Sequence, residues 1–163
     1  MNKDNGENNK QQPIPEHPEN DDGSEEEILL EVIGQDQYAL SYTFFIIPEL
    51  TSFELTGELI ETLPKWLKEI SEKNGWKLEF VTVNPQYLQW AITVSTSVIT
   101  SQVVIQTRNE LSKLILATIT MDLNNSTDIW APGYLLLHGM HQDVSGIIEQ
   151  YIRLIREQQR PSV

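Results

Sequence analysis

The sequence predicts an α+β fold: an antiparallel sheet with two helices on one face and a longer helix added at the C-terminus. Three observations point there. Four stretches rich in aromatic and β-branched residues read as strands. Three others carry apolar residues at helical spacing. The two kinds follow one another as strand, helix, strand, strand, helix, strand, helix. That order is a ferredoxin-like split β-α-β unit plus one C-terminal helix.

The elements are justified in turn. Residues 37–47, "QYALSYTFFII", form the first strand, closed by Pro48. Residues 51–75 place Leu55, Leu59, Ile60, Leu63, Leu67 and Ile70 at helical spacing, and Gly75 after Asn74 is a stop signal. Pro64 inside that pattern predicts a kink, or a helix that begins there. "WKLEFVTV" and "YLQWAITV" are the second and third strands, joined by the turn Asn84-Pro85-Gln86. The Ser and Thr residues between Ser95 and Ser101 offer N-caps for the helix "SQVVIQTRNELSKLILA". "TITMD" reads as a candidate edge strand, and "LNNSTD" as a loop. "GYLLLHGM" is the fourth strand, and residues 143–160 the last helix, with Ile147, Ile148, Tyr151, Ile152 and Ile155 on one face.

Composition divides the chain in two. Residues 1–27 hold nine acidic and two basic residues, a net of −7, with three prolines and Ile14 as the one aliphatic residue apart from Met1. Such a stretch cannot bury enough apolar surface to offset its ordering entropy, so it reads as a disordered acidic tail. Residues 28–163 read as one domain, with nine basic and fifteen acidic residues, a net of −6. An overall charge of −13 argues against broad nucleic-acid binding, which rests on Lys and Arg at phosphates. With no cysteine there is neither a disulfide framework nor thiol chemistry. The first residues do not resemble a signal peptide, and no apolar run approaches the roughly 20 residues of a membrane span. The expectation is a cytoplasmic protein without a membrane partner.

The third strand opens with Tyr87 and Gln89, two residues apart and therefore on one face, with Leu88 and Trp90 on the other. A pair of polar-capable side chains at the head of a core strand is a common place to hold a metal or a substrate. Here the pair is a phenol and an amide, both weak ligands for a hard divalent cation. His138 and His141, three apart near the end of the fourth strand, are the alternative metal pair, or else ordinary solvated histidines.

Four local patterns fall in one order: "GWKLEFVTVNPQYLQWAITV", "SQVVIQTRNELSKLI", "IWAPGYLLLHGM" and "IIEQYIRLI". Together they resemble the single-tyrosine HUH transposases of the insertion-sequence-200 type, over about residues 37–158. Trp130-Ala131-Pro132-Gly133-Tyr134 and Tyr151-Ile152 are the most specific parts. The resemblance implies a His-hydrophobic-His pair holding Mg²⁺ or Mn²⁺ against a single-stranded DNA phosphate, and a helix tyrosine that attacks it. Position by position, the two histidines fall on Tyr87 and Gln89, the preceding aspartate on Gln86, and the nucleophile on Tyr151. The helix glutamine that completes the metal site falls on Ile155. Three ligand positions are thus vacated, no metal cofactor is expected, and Tyr151 is expected to be vestigial, a packing tyrosine. Arg108, Lys113, Arg153 and Arg156 are the candidate DNA-binding cations, with pairing to Glu149 and Glu157 on a solvated face as the alternative for those of the last helix.

Three functions follow, in order of weight. The first is a catalytically inactive, domesticated relative that still binds single-stranded or hairpin DNA. The second is a dimeric protein-interaction or regulatory scaffold that binds no nucleic acid; the resemblance implies a homodimer with a shared sheet and exchanged C-terminal helices. The third, and weakest, is an active transposase with an altered site.

Overall fold

A computed structural model describes residues 31–32, 38–119 and 127–161. The acidic tail assigned to residues 1–27 and residues 123–126 of the loop "LNNSTD" lie outside the described residues. The described elements are β1 (Glu31–Val32), β2 (Tyr38–Ile46), α1 (Leu59–Asn74), β3 (Lys77–Asn84), β4 (Tyr87–Ser95), α2 (Thr100–Thr118), β5 (Leu135–His138) and α3 (Ser145–Gln158).

The strands pair antiparallel in the order β1-β2-β4-β3, with β5 beside β1 along the other edge of β2. The hairpin strand β4 therefore lies between β2 and β3, the insertion that defines the split β-α-β arrangement. In register, Phe44 opposes Trp90, Phe45 opposes Gln89 and Ile46 opposes Leu88. Side chains alternate across the sheet. Phe44, Ile46, Leu88, Trp90, Ile92 and Val94 point to one face, where Leu59, Leu63, Leu67 and Ile70 of α1 and Val103, Leu111 and Ile115 of α2 cover them. Trp90 stacks on Phe44 with centroids 5.2 Å apart and 17° between planes. This face is the main core, and each fully buried side chain in it contributes about 1.5–3 kcal/mol of apolar burial.

Several local expectations are corrected. α1 begins at Leu59, so Pro64 lies inside the helix rather than at its start. Its end is as expected: Gly75 takes the left-handed conformation (φ 72°), and the amides of Gly75 and Trp76 bond the carbonyls of Glu72 and Ser71. α2 has no hydroxyl cap. Ile99 stands at its N-terminal boundary, while the Ser95 and Ser97 hydroxyls pair with each other. The candidate edge strand "TITMD" begins on Thr118, which is the last residue of α2, and residues 120–126 lie outside the described ones. α3 is the shortest of the three helices, not the longest, because Val144 (φ −136°, ψ 33°) is not helical and the helix stops at Gln158.

Candidate functional site

The sheet face opposite the main core carries Tyr87 and Gln89. Tyr87 is half-buried against Phe45, with ring centroids 6.2 Å apart and tilted by 55°. Gln89, only 1% exposed, donates its amide Nε2 to the carbonyls of His141 (2.6 Å) and Gln142 (3.4 Å). Thr43, on the neighbouring strand, does the complementary work. Its hydroxyl donates to the Gly139 carbonyl at 2.8 Å and accepts the His141 amide at 3.0 Å. The Gly139 amide in turn donates to the Ser41 carbonyl, with Gly139 at φ +86°, a conformation that favours glycine. The connection from β5 to α3 is thereby strapped over the head of β4.

α3 packs on the same face through Ile155, which joins Ile47 and Ala131 in a small apolar cluster flanked by Tyr87, Tyr151 and Ile152. Tyr87 and Ile155, two of the three positions that the resemblance assigns to metal ligands, thus meet Tyr151 as packing side chains. The Tyr151 hydroxyl is buried with no hydrogen-bond partner. Burial pushes its pKa up to about 12, against the opposing pull of the Arg108 guanidinium.

The candidate cations divide into two kinds. Arg108 pairs with Asp128 at 2.8 Å and donates to the carbonyls of Gly133 and Trp130. Asp128 also accepts from the Ser112 hydroxyl and the Trp130 amide, so the pair clamps the segment that leads into β5. Arg156 donates to the carbonyls of Pro48 (2.9 Å) and Glu49 (2.8 Å), tying α3 to the end of β2; burial draws its pKa down. Lys113 and Arg153 are exposed and make no ion pair among the described residues. The sequence offered no direct sign of the Thr43 strap. The Asp128 clamp had one, because an Asp two residues before a bonded amide is a turn-forming pattern.

A divalent metal does not fit these residues. Gln89 offers at most one neutral amide oxygen, Tyr87 a phenol packed on an aromatic ring, and Ile155 no donor, far fewer oxygen ligands than a hard divalent cation takes. The alternative histidines form no better site: His138 packs on Tyr42 and the His141 Nε2 lies against the His138 carbonyl. No group of three or more His, Asp or Glu side chains suited to a metal occurs among the described residues.

The family model described as "Transposase IS200 like" matches residues 36–154, the greater part of the chain. The chain belongs to the IS200-like transposase family. Its fold is similar to the crystal structure of a candidate transposase from Deinococcus radiodurans R1, at 19% identity and a TM-score of 0.66, covering 78% of this chain and 98% of that one. A weaker likeness, 10% identity and a TM-score of 0.47, covers 72% of this chain and 68% of a REP-associated tyrosine transposase bound to a REP hairpin. No curated protein matches the chain significantly. Within this transposase-like chain, the residues that the resemblance assigns to metal binding are the ones engaged in packing and loop-strapping.

Proposed function

We propose that this IS200-like chain binds single-stranded or hairpin DNA and does not cut it. The observation that carries the reading is Gln89. A side chain at a metal-ligand position of the family is here buried and bonded to the backbone of the β5–α3 connection. Tyr151 supports it. A phenol with a pKa of about 12 is protonated at neutral pH, and an uncharged phenol attacks a phosphodiester poorly. Family membership and the exposed cations Lys113 and Arg153 support the DNA-binding half.

The test uses hairpin-bearing single-stranded DNA. We expect binding at low salt that weakens as salt rises, with a logarithmic slope of about −0.7 for each phosphate neutralised. With Mg²⁺ or Mn²⁺ present, a denaturing gel should show no covalent protein–DNA band. A band that disappears in Tyr151→Phe overturns the inactive reading. Absence of binding at low salt overturns the DNA reading.

That second result would leave the dimeric scaffold, which one observation favours. α3 turns Ile148 and Ile155 to its own domain but leaves Ile147 (47%) and Leu154 (49%) exposed. In this reading the exposed side packs on a second copy, and light scattering returns about twice the 18.7 kDa chain mass. No helix among the described residues is long and apolar enough to cross a membrane.

A further inference from the structure

At the end of the helix layer is a cavity of about 420 Å³, between residues 52–58, the N-terminal half of α1 and the last residues of α2. None of the positions named by the family resemblance lines it. Its floor is apolar. Phe53 and Leu59 belong to the main core, and Trp66 and Ile119 pack half-buried against that core. The hydroxyls of Thr62 and Thr118, which also line it, already donate to the carbonyls of Glu58 and Leu114. Glu54 and Glu58 stand exposed on its rim. Glu58 sits at the boundary of α1 without capping the helix through its side chain. Neither carboxylate has a hydrogen bond or an ion pair among the described residues.

We propose that this cavity takes the arginine side chain of a basic segment of a partner protein, an inference independent of the DNA-binding reading. Two unpaired carboxylates, with no Lys, Arg or His on the walls, make it a place for positive charge. α2 adds to this, because its C-terminal end carries a partial negative charge and its last turn has no basic residue to offset it. The N-terminal end of α1 opposes with about half a charge, less than the full charge of either carboxylate. The volume lies within the roughly 300–1,000 Å³ of clefts that enclose a ligand. The occupant therefore brings bulk as well as charge, which a bare metal ion does not. Arginine meets both needs. Its stem lies on an apolar floor, its guanidinium plane faces an aromatic ring such as Trp66, and its fork of donors matches carboxylates. A lysine ammonium has neither the plane nor the fork. A protein source fits the open rim, through which a side chain enters while its backbone stays outside. It also fits the charge of −13, which draws basic surfaces to the chain.

The test uses the full chain and a short capped peptide with one central arginine. The same peptide with citrulline keeps the shape and loses the charge, and spermidine supplies charge without a peptide. The Trp66 indole N–H and the Ile119 methyl resonances are followed by NMR. Both should shift saturably with the arginine peptide, and the citrulline peptide should bind at least about tenfold more weakly. Glu54→Gln/Glu58→Gln, at exposed positions, should weaken the arginine peptide by about tenfold or more. Glu61→Gln, which removes an exposed charge outside the cavity, should weaken it by less than about twofold. Absence of shifts, equal binding of the citrulline peptide, or unchanged affinity in the Gln pair each overturns the proposal. Spermidine binding as tightly as the arginine peptide overturns the protein source. Shifts of the same resonances as the chain alone is concentrated make a second copy the occupant and overturn the separate partner.

Discussion

The two faces of the sheet are built on different physics. On the helix side, Phe44, Leu88, Trp90 and Ile92 meet α1 and α2 in one continuous apolar core. On the opposite side, the buried residues include Thr43, Gln89 and Thr93, each joined by hydrogen bonds, beside apolar Phe45 and Ala91 and a small cluster around Ile47, Ala131 and Ile155. The first face is held by area removed from water, which many side chains supply interchangeably. The second is held by a few directional bonds, each dependent on its own partners. The face that carries the positions named by the family resemblance is thus held by directional bonds together with a smaller apolar contact.

The largest effect belongs to the first face. Trp90→Ala should destabilise the fold by about 3–5 kcal/mol, since it empties the place of a ring stacked on Phe44 and enclosed by the helices. Denaturant unfolding checks it. A loss below about 1 kcal/mol would mean that the two helices do not form the main core, and the contrast between the faces would fail.

A smaller effect belongs to the strap. Gln89→Leu keeps the volume but removes the donor to His141 and Gln142, leaving their carbonyls unpaired at a cost of about 1–3 kcal/mol. Hydrogen exchange should localise the change to the His141 amide, which bonds Thr43. If unfolding and His141 exchange both stay as in the parent chain, the amide holds nothing, and Gln89 is simply a buried remnant.

These two substitutions also mark what could be read in advance. The helix-side core was legible because its determinants are periodic. Alternation in β4 put Trp90 opposite Gln89's face, and Leu59, Leu63, Leu67 and Ile70 gave α1 its stripe. The α2 start was misplaced because hydroxyl residues before a helix do not establish which of them caps it, and here Ser95 and Ser97 bond each other. The candidate site positions Tyr87, Gln89, Tyr151 and Ile155 came from family resemblance alone, which says nothing of what each bonds or packs against. For Gln89 the partners are the carbonyls of His141 and Gln142, 52 and 53 residues further along the chain. A carbonyl leaves no trace in a sequence. The same blindness applied to Arg108 and Arg156, expected as DNA cations and found clamping Asp128, Pro48 and Glu49.

The smallest effect is the most discriminating, because it tests whether the second face still carries reactive chemistry. Tyr151 has a buried hydroxyl without a partner, so Tyr151→Phe removes a desolvated polar atom and no hydrogen bond. At neutral pH the substitution should be neutral to stabilising, within about 1 kcal/mol. The pH dependence then follows by linkage. With a folded pKa of about 12 against 10.0 in the unfolded chain, the folded state keeps its proton where the unfolded state loses it. The stability that depends on this group is fully present below pH 10 and is lost progressively as the pH rises towards 12. Tyr151→Phe should therefore flatten the alkaline fall in stability relative to the parent chain, and ultraviolet titration should lose a tyrosine that titrates at about pH 12. If the parent shows no such tyrosine, or if Tyr151→Phe costs about 2 kcal/mol at neutral pH, the hydroxyl has a partner after all. Its place would then be one built to hold a reactive phenol, not a packing ring.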